Sequence, residues 1–190
     1  MAVFMSTGRI LNIPNILTLA RIALIPVFLA IAYWPPAIGI AEHHGGMMRH
    51  LILTAIFVLA AVTDWFDGYL ARTLNQTSAF GRFLDPVADK LMVAAALIVL
   101  VQWQPTISMA FAAIVIISRE ITVSALREWM AELGARTSVA VSTVGKYKTA
   151  FQMIAISVFL LNWKPLEMWA YALLYAAVIL TLWSMFIYMK

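Results

Sequence analysis

Cysteine is absent from all 190 residues. That excludes disulfides, thiolate metal sites and cysteine nucleophiles together, and it leaves the redox compartment open. Charge is scarce too: Asp, Glu, Lys and Arg make up 12% of the chain. Soluble domains are about a quarter charged, so an ordinary soluble enzyme is excluded. A disordered chain, which needs low hydrophobicity, is excluded with it. Fixed-period repeats and low-complexity tracts are missing, which reads as one domain over residues 1–190. What is plentiful is apolar: 64% of the residues are hydrophobic and the mean hydropathy is +0.91. This is the composition of an integral membrane protein. Charge is expensive in lipid, so the few charged side chains mark where function lies. The net charge of +4 does not call for nucleic acid, because cytoplasmic loops of membrane proteins are basic in any case.

Six apolar stretches stand out, near Ile16–Trp34, Leu51–Tyr69, Phe83–Val101, Thr106–Leu126, Val139–Leu161 and Leu166–Tyr188. Each reaches the ~20 residues that cross a hydrocarbon core, so the expected fold is all-α with six transmembrane helices. The first stretch follows Arg9 and Asn12, is long and lacks a small-residue cleavage site, so it is not read as a cleaved signal. Trp34-Pro-Pro opens a polar loop expected to run through Glu42-His-His-Gly-Gly. Gln104-Pro105 and Lys164-Pro165 mark two further turns. With six spans both termini share a side, which receives Arg9, Arg21, Arg72, Arg82, Lys90, Arg119, Arg127, Arg136, Lys146, Lys148 and Lys190. Only Arg49 and Lys164, the remaining two of 13 basic residues, fall on the other. The positive-inside rule makes the richer side cytoplasmic, and Tyr33, Trp34, Trp103 and Trp163 form an aromatic belt opposite.

Spans two and three hold four aspartates: Asp64, Asp67, Asp85 and Asp89. Spacings of three and four place each pair on one helix face. Depth agrees. At ~1.5 Å per residue, Arg49 to Asp64 is roughly 22 Å and Trp103 to Asp89 roughly 21 Å. Two antiparallel helices thus bring four carboxylates to matching depths, just inside the cytoplasmic interface. Like charges raise one another's pKa, so all four stay ionised only with cations present. Oxygen donors without thiolates suit hard ions, Mg²⁺ or Mn²⁺, as a pair bridged by shared carboxylates. A single such aspartate would read equally well as a helix cap; four on facing helices do not. Gly68, Ala71 and Gly81 leave room beside the acids for a ligand, although small residues also serve helix packing in membranes. Pro86 is expected to kink span three or to mark its first turn.

Asp64-Trp-Phe-Asp67-Gly68-Tyr-Leu-Ala71-Arg72, then Gly81, Asp85 and Asp89 at fixed intervals, resembles the signature of the CDP-alcohol phosphatidyltransferases. All eight defining positions match. The resemblance implies a six-helix membrane enzyme of CDP-alcohol phosphotransferase fold, a homodimer with a dinuclear metal site in the bacterial inner membrane. It implies displacement of CMP from a CDP-linked lipid by an alcohol. Carried over by position, Asp64, Asp67, Asp85 and Asp89 would hold the metals, with Asp89 also the general base. Gly68, Arg72, Ser78 and Gly81 would contact the CDP moiety of CDP-diacylglycerol. The segment Pro14-Asn15-Ile-Leu-Thr18 is similar to the family's nucleotide-side segment, which adds Asn15 and Thr18.

A second constellation follows: Ser118-Arg119-Glu120, Arg127-Glu128, Gly145-Lys146-Tyr-Lys148-Thr149 and Gln152. Pro105 to Arg119 is roughly 21 Å of helix and Lys148 to Trp163 roughly 22 Å, the depth of the aspartates. Cations beside a carboxylate cluster suit an anionic acceptor, with Arg forking onto phosphate and Lys acting as a point charge. Loop charge alone would account equally well for Arg127, Arg136 and Glu128. The string from Ser118 to Thr149 is similar to the branch of the family that uses glycerol 3-phosphate. That similarity implies this acceptor for Arg119, Lys146, Lys148 and Arg127.

Three other readings compete. A sister enzyme would use inositol phosphate, serine or phosphatidylglycerol instead. An ion transporter would use the same charges as a pathway, but transporters show internal repeats and midplane charges. A catalytically dead scaffold would have lost motif positions. His43, His44 and His50 lie on or near the outer loop and read as solvated histidines rather than a metal site.

Overall fold

The computed structural model describes residues 13–34, 42–73, 79–132 and 143–188. Among these residues there are six α-helices and no strand. They are α1 (Ile13–Tyr33), α2 (Glu42–Thr73), α3 (Ala79–Trp103), α4 (Ile107–Glu132), α5 (Thr143–Leu161) and α6 (Glu167–Tyr188). Asn15–Tyr33, Gly46–Asp64, Ile107–Leu126 and Lys164–Met185 are long and apolar enough to cross a membrane, and Lys148–Leu161 is a shorter apolar helix.

Local chemistry explains the boundaries. Pro105 stops α3, and the Thr106 hydroxyl accepts the Met109 amide at 3.2 Å, an N-cap that starts α4. At the end of α5, Asn162 turns left-handed (φ 53°) while its amide reaches Phe159 O. Lys164–Leu166 then forms a 3₁₀ turn around Pro165 before α6 begins. Two expectations change. Helix α2 already runs from Glu42, so the loop expected to extend to Gly46 is partly helical. At 32 residues α2 outreaches a bilayer, and a helix that bonds its own backbone loses nothing by projecting beyond it. Helix α3 begins at Ala79 and continues through Pro86, which therefore does not mark its first turn.

The helices pack as a closed ring, α1–α2–α5–α6–α4–α3 and back to α1, with α3 also against α2 and α5. Touching four neighbours, α3 has its second half buried almost continuously from Met92 to Leu100. Small buried residues such as Ala60, Ala96, Ala112, Ala155 and Ala177 let backbones approach, which matters where lipid removes any hydrophobic drive between helices. Large apolar side chains point outward instead, among them Leu59, Ile98, Ile114, Ile121, Ile179 and Trp183.

The buried stripe of four helices changes character along its length. In α1 it runs from Asn15, Thr18 and Arg21 to Phe28 and Ala32. In α5 it runs from Lys148 and Gln152 to Phe159 and Leu160. Helices α4 and α6 run the other way along the chain, from Met109 and Ala112 to Arg119, and from Ala170 and Leu174 to Thr181 and Ser184. Each stripe keeps helical spacing throughout, so polar and apolar residues share one inward face. The polar ends gather where α2 and α3 carry their aspartates.

Candidate active site

The acid side is built from α1, α2 and α3. Asp64 and Asp89 are both half-buried. Helices α2 and α3, which carry Asp64 and Asp89, pack against each other and both against α1. Arg21, absent from the expected site, reaches across from α1 and donates from Nη1 to Asp64 Oδ1 at 2.6 Å. Its side chain is 1% exposed against 42% for Asp64, so the cation is sealed in while the acid stays open. Arg21 was legible as a basic residue inside an apolar stretch, three past Thr18 on the same face. A charge there needs a partner.

Asp67 falls on α2 a turn beyond Asp64, and Asp85 on α3 a turn before Asp89. The side chains of Asp67, Asp85, Gly68, Arg72, Lys146 and Arg127 lie outside the described residues, as does Ser78 altogether. Asn15 and Thr18 are buried on α1, two turns and one turn before Arg21, and Gly81 is buried on α3. The donor set fits a hard divalent cation: the two described aspartates are oxygen donors on helices that pack together, and the Asp64 carboxylate is 42% exposed.

The basic side is built from α4, α5 and α6. Glu120 lies between two cations. Its Oε1 accepts from Arg119 Nη1 at 3.1 Å and also from Lys148 Nζ. Arg119 donates its other arm, Nη2, to Ser184 Oγ at 3.0 Å, and that hydroxyl donates in turn to Thr181 O at 2.8 Å. Among the described residues Arg119 Nε, Gln152 Oε1 and Thr181 Oγ1 are buried without a hydrogen-bond partner. Each such atom costs about 1–3 kcal/mol if left dry. Ser184 and Thr181 escaped the sequence reading. Their signal was two hydroxyls three residues apart in an otherwise apolar α6, at the depth of Arg119.

Helix α3, which carries Asp89, packs against α4 and α5, which carry Glu120 and Lys148, so the acid and basic sides adjoin across the interior. The arrangement can hold an anionic group on Arg119 and Lys148 beside carboxylates able to bind metal and accept a proton.

Known sequences resemble this chain over nearly its whole length. A family described as CDP-alcohol phosphatidyltransferase matches residues 11–183. The CDP-diacylglycerol--glycerol-3-phosphate 3-phosphatidyltransferase of Pectobacterium atrosepticum is 50% identical over 182 residues, covering 94% of this chain and 93% of that protein. The protein of the same name from Haemophilus influenzae is 50% identical over 180 residues, 94% and 92% of the two chains. That from Escherichia coli is 47% identical over 182 residues, 94% and 93%.

Proposed function

The chain belongs to the CDP-alcohol phosphatidyltransferase family, and on that premise we infer that it transfers the phosphatidyl group of CDP-diacylglycerol to glycerol 3-phosphate. The products are phosphatidylglycerol phosphate and CMP. One observation carries the reading at the level of the site: Glu120, bonded to both Arg119 and Lys148, stands on α4, which packs directly against the Asp89-bearing α3. A phosphate held by those cations therefore has its far hydroxyl beside the acid cluster.

The chain's own residues divide the work. Arg119, Lys148 and Lys146, with Arg127 at the edge, bind the acceptor phosphate. Asn15, Thr18, Gly68, Arg72, Ser78 and Gly81 line the nucleotide side. Asp89 takes the proton of the acceptor's C1 hydroxyl. The freed oxygen attacks the phosphorus bonded to diacylglycerol, and the bond from that phosphorus to the CMP oxygen breaks. Arg21 fixes the Asp64 carboxylate, so that part of the site is oriented before substrate arrives. Asp64, Asp67, Asp85 and Asp89 would hold two Mg²⁺ or Mn²⁺ ions, whose positive charge offsets that of the pyrophosphate and the leaving CMP. All six helices cross the bacterial inner membrane with termini and site cytoplasmic, and the enzyme works as a homodimer.

The test is CMP release from CDP-diacylglycerol by the purified protein in detergent. Glycerol 3-phosphate, inositol phosphate, serine and phosphatidylglycerol are offered in turn, with Mg²⁺ or with EDTA. Turnover is expected with glycerol 3-phosphate and metal alone. Preference for another acceptor would replace the acceptor assignment, and CMP release undiminished in EDTA would remove the metal.

A further inference from the structure

Arg119 is held by two arms of different character. Nη2 is fixed on Ser184, a neutral, buried hydroxyl anchored to its own helix at Thr181 O. Nη1 is held by Glu120, which also binds Lys148 through the same oxygen. Exposure separates the members. The side chains of Arg119 and Lys148 are 9% and 3% exposed, whereas that of Glu120 is 25% exposed. The anion stands on the open side with both cations behind it, and Arg119 Nε remains buried without a partner among the described residues.

We propose that Glu120 is an exchangeable counter-ion that occupies the place of the acceptor's phosphate until it binds, and that Ser184 is the positioning residue that keeps Arg119 in place during the exchange. Two buried cations side by side repel each other and need an anion at all times. Glu120 supplies it in the empty site. An arriving phosphate offers more charge and more acceptor oxygens, so it takes over Arg119 Nη1 and Lys148 Nζ and reaches the idle Nε as well. The Glu120 carboxylate turns out toward water, which its exposure allows. Ser184 does not compete, since its hydrogen is committed to Thr181 O and only its lone pair faces the guanidinium. The exchange sets selectivity: an uncharged acceptor cannot displace a carboxylate from two cations. This inference rests on the acceptor assignment above and adds two residues to it.

The experiment is steady-state kinetics of the full-length enzyme with CDP-diacylglycerol, Mg²⁺ and varied glycerol 3-phosphate. Glu120→Gln keeps the shape and removes the competing charge. Its KM for glycerol 3-phosphate is expected to fall about tenfold, a coupling of ordinary size for contacting groups. Inorganic phosphate, as a competitive inhibitor, is expected to tighten by a similar factor, with kcat little changed. Glu120→Asp, which keeps the charge but shortens its reach, shifts KM the same way by less and serves if the Gln variant does not fold. Ser184→Ala is expected to raise KM for glycerol 3-phosphate while leaving KM for CDP-diacylglycerol unaltered, with Ser184→Thr restoring it. A KM that rises or stays put in both Glu120 variants overturns the exchange, because a merely structural carboxylate would give that result. Wild-type protein that releases no CMP with glycerol 3-phosphate overturns the acceptor assignment itself, and this inference with it.

Discussion

The two ends of the bundle are closed by different chemistry. At the end away from the aspartates, neutral groups and rings make the contacts between helices. His50 Nδ1–H donates to Leu160 O at 2.9 Å, and the His50 ring meets Trp103 edge-on. Tyr171 donates to Gln104 Oε1 at 3.3 Å, and Phe159 packs edge-on against Tyr171. Of the two cations there, Arg49 lies over the Trp103 ring at 5.5 Å, and Lys164 pairs with Glu167 at 3.3 Å within its own turn rather than across helices. At the acid-bearing end, ion pairs do the joining: Arg21 with Asp64 between α1 and α2, and Lys148 with Glu120 between α5 and α4, where Arg119 meets Glu120 from the adjacent position. Among the described residues Arg119 Nε, Gln152 Oε1 and Thr181 Oγ1 are left over beside them, against Arg49 Nε at the other end. Neutral contacts are satisfied once made, and they hold helices together. Buried charges cost desolvation and return it only with a partner, so an end built from them is organised around something that binds.

The largest effect that separates the ends is at Asp89, the proposed base. Asp89→Asn is expected to lower CMP release by about a thousandfold while helicity and thermal unfolding in detergent stay close to wild type. Near-normal turnover would remove Asp89 from that role. Removing divalent cation with EDTA should likewise stop turnover, and Mg²⁺ or Mn²⁺ should restore it; the His50–Leu160 end is expected to keep its amide-exchange protection throughout.

An intermediate effect lies in the Arg21–Asp64 pair, whose partners differ in exposure. Asp64→Ala takes an anion from a sealed guanidinium and is expected to cost about 3 kcal/mol. Arg21→Met should cost less, because the half-open Asp64 carboxylate can take water instead. Unfolding temperatures of the two variants in one detergent check the order, and the reverse order would contradict the asymmetry of the pair. The smallest effect belongs to the far end. Tyr171→Phe loses one long hydrogen bond to Gln104 and should cost about 1 kcal/mol or less. KM for both substrates and kcat should not move; a change in either would show that the far end is coupled to the chemistry.

Much of the architecture was legible in the chain because it is written in local patterns. Apolar runs of membrane length, Pro-bearing turns at Gln104-Pro105 and Lys164-Pro165, and the acid spacing from Asp64 to Asp89 all depend on near neighbours. Matching depths, counted from the far anchors, brought Asp64 to Asp89 and placed Arg119 and Lys148 level with them. Hidden from that arithmetic was the rotation of each helix about its axis. Depth alone does not tell that Arg21 faces α2, that Glu120 turns toward α5, or that α6 brings Ser184 to Arg119. The loop expected through Gly46 failed for a related reason: composition reports polarity, and a polar segment outside the lipid still closes its backbone bonds as a helix.

From sequence alone came the membrane class, the family, the aspartate motif and the end of the bundle where charge collects. These rest on composition, on spacing within one helix and on motif identity, which the chain carries without reference to any neighbour. Tertiary structure alone decided which charge meets which. Arg21 with Asp64, Lys148 with Glu120 and Arg119 with Ser184 are separated by 43, 28 and 65 residues. Such pairs depend on which helices lie side by side and which faces they turn inward. Packing of small residues against one another settles that, and no local pattern encodes it.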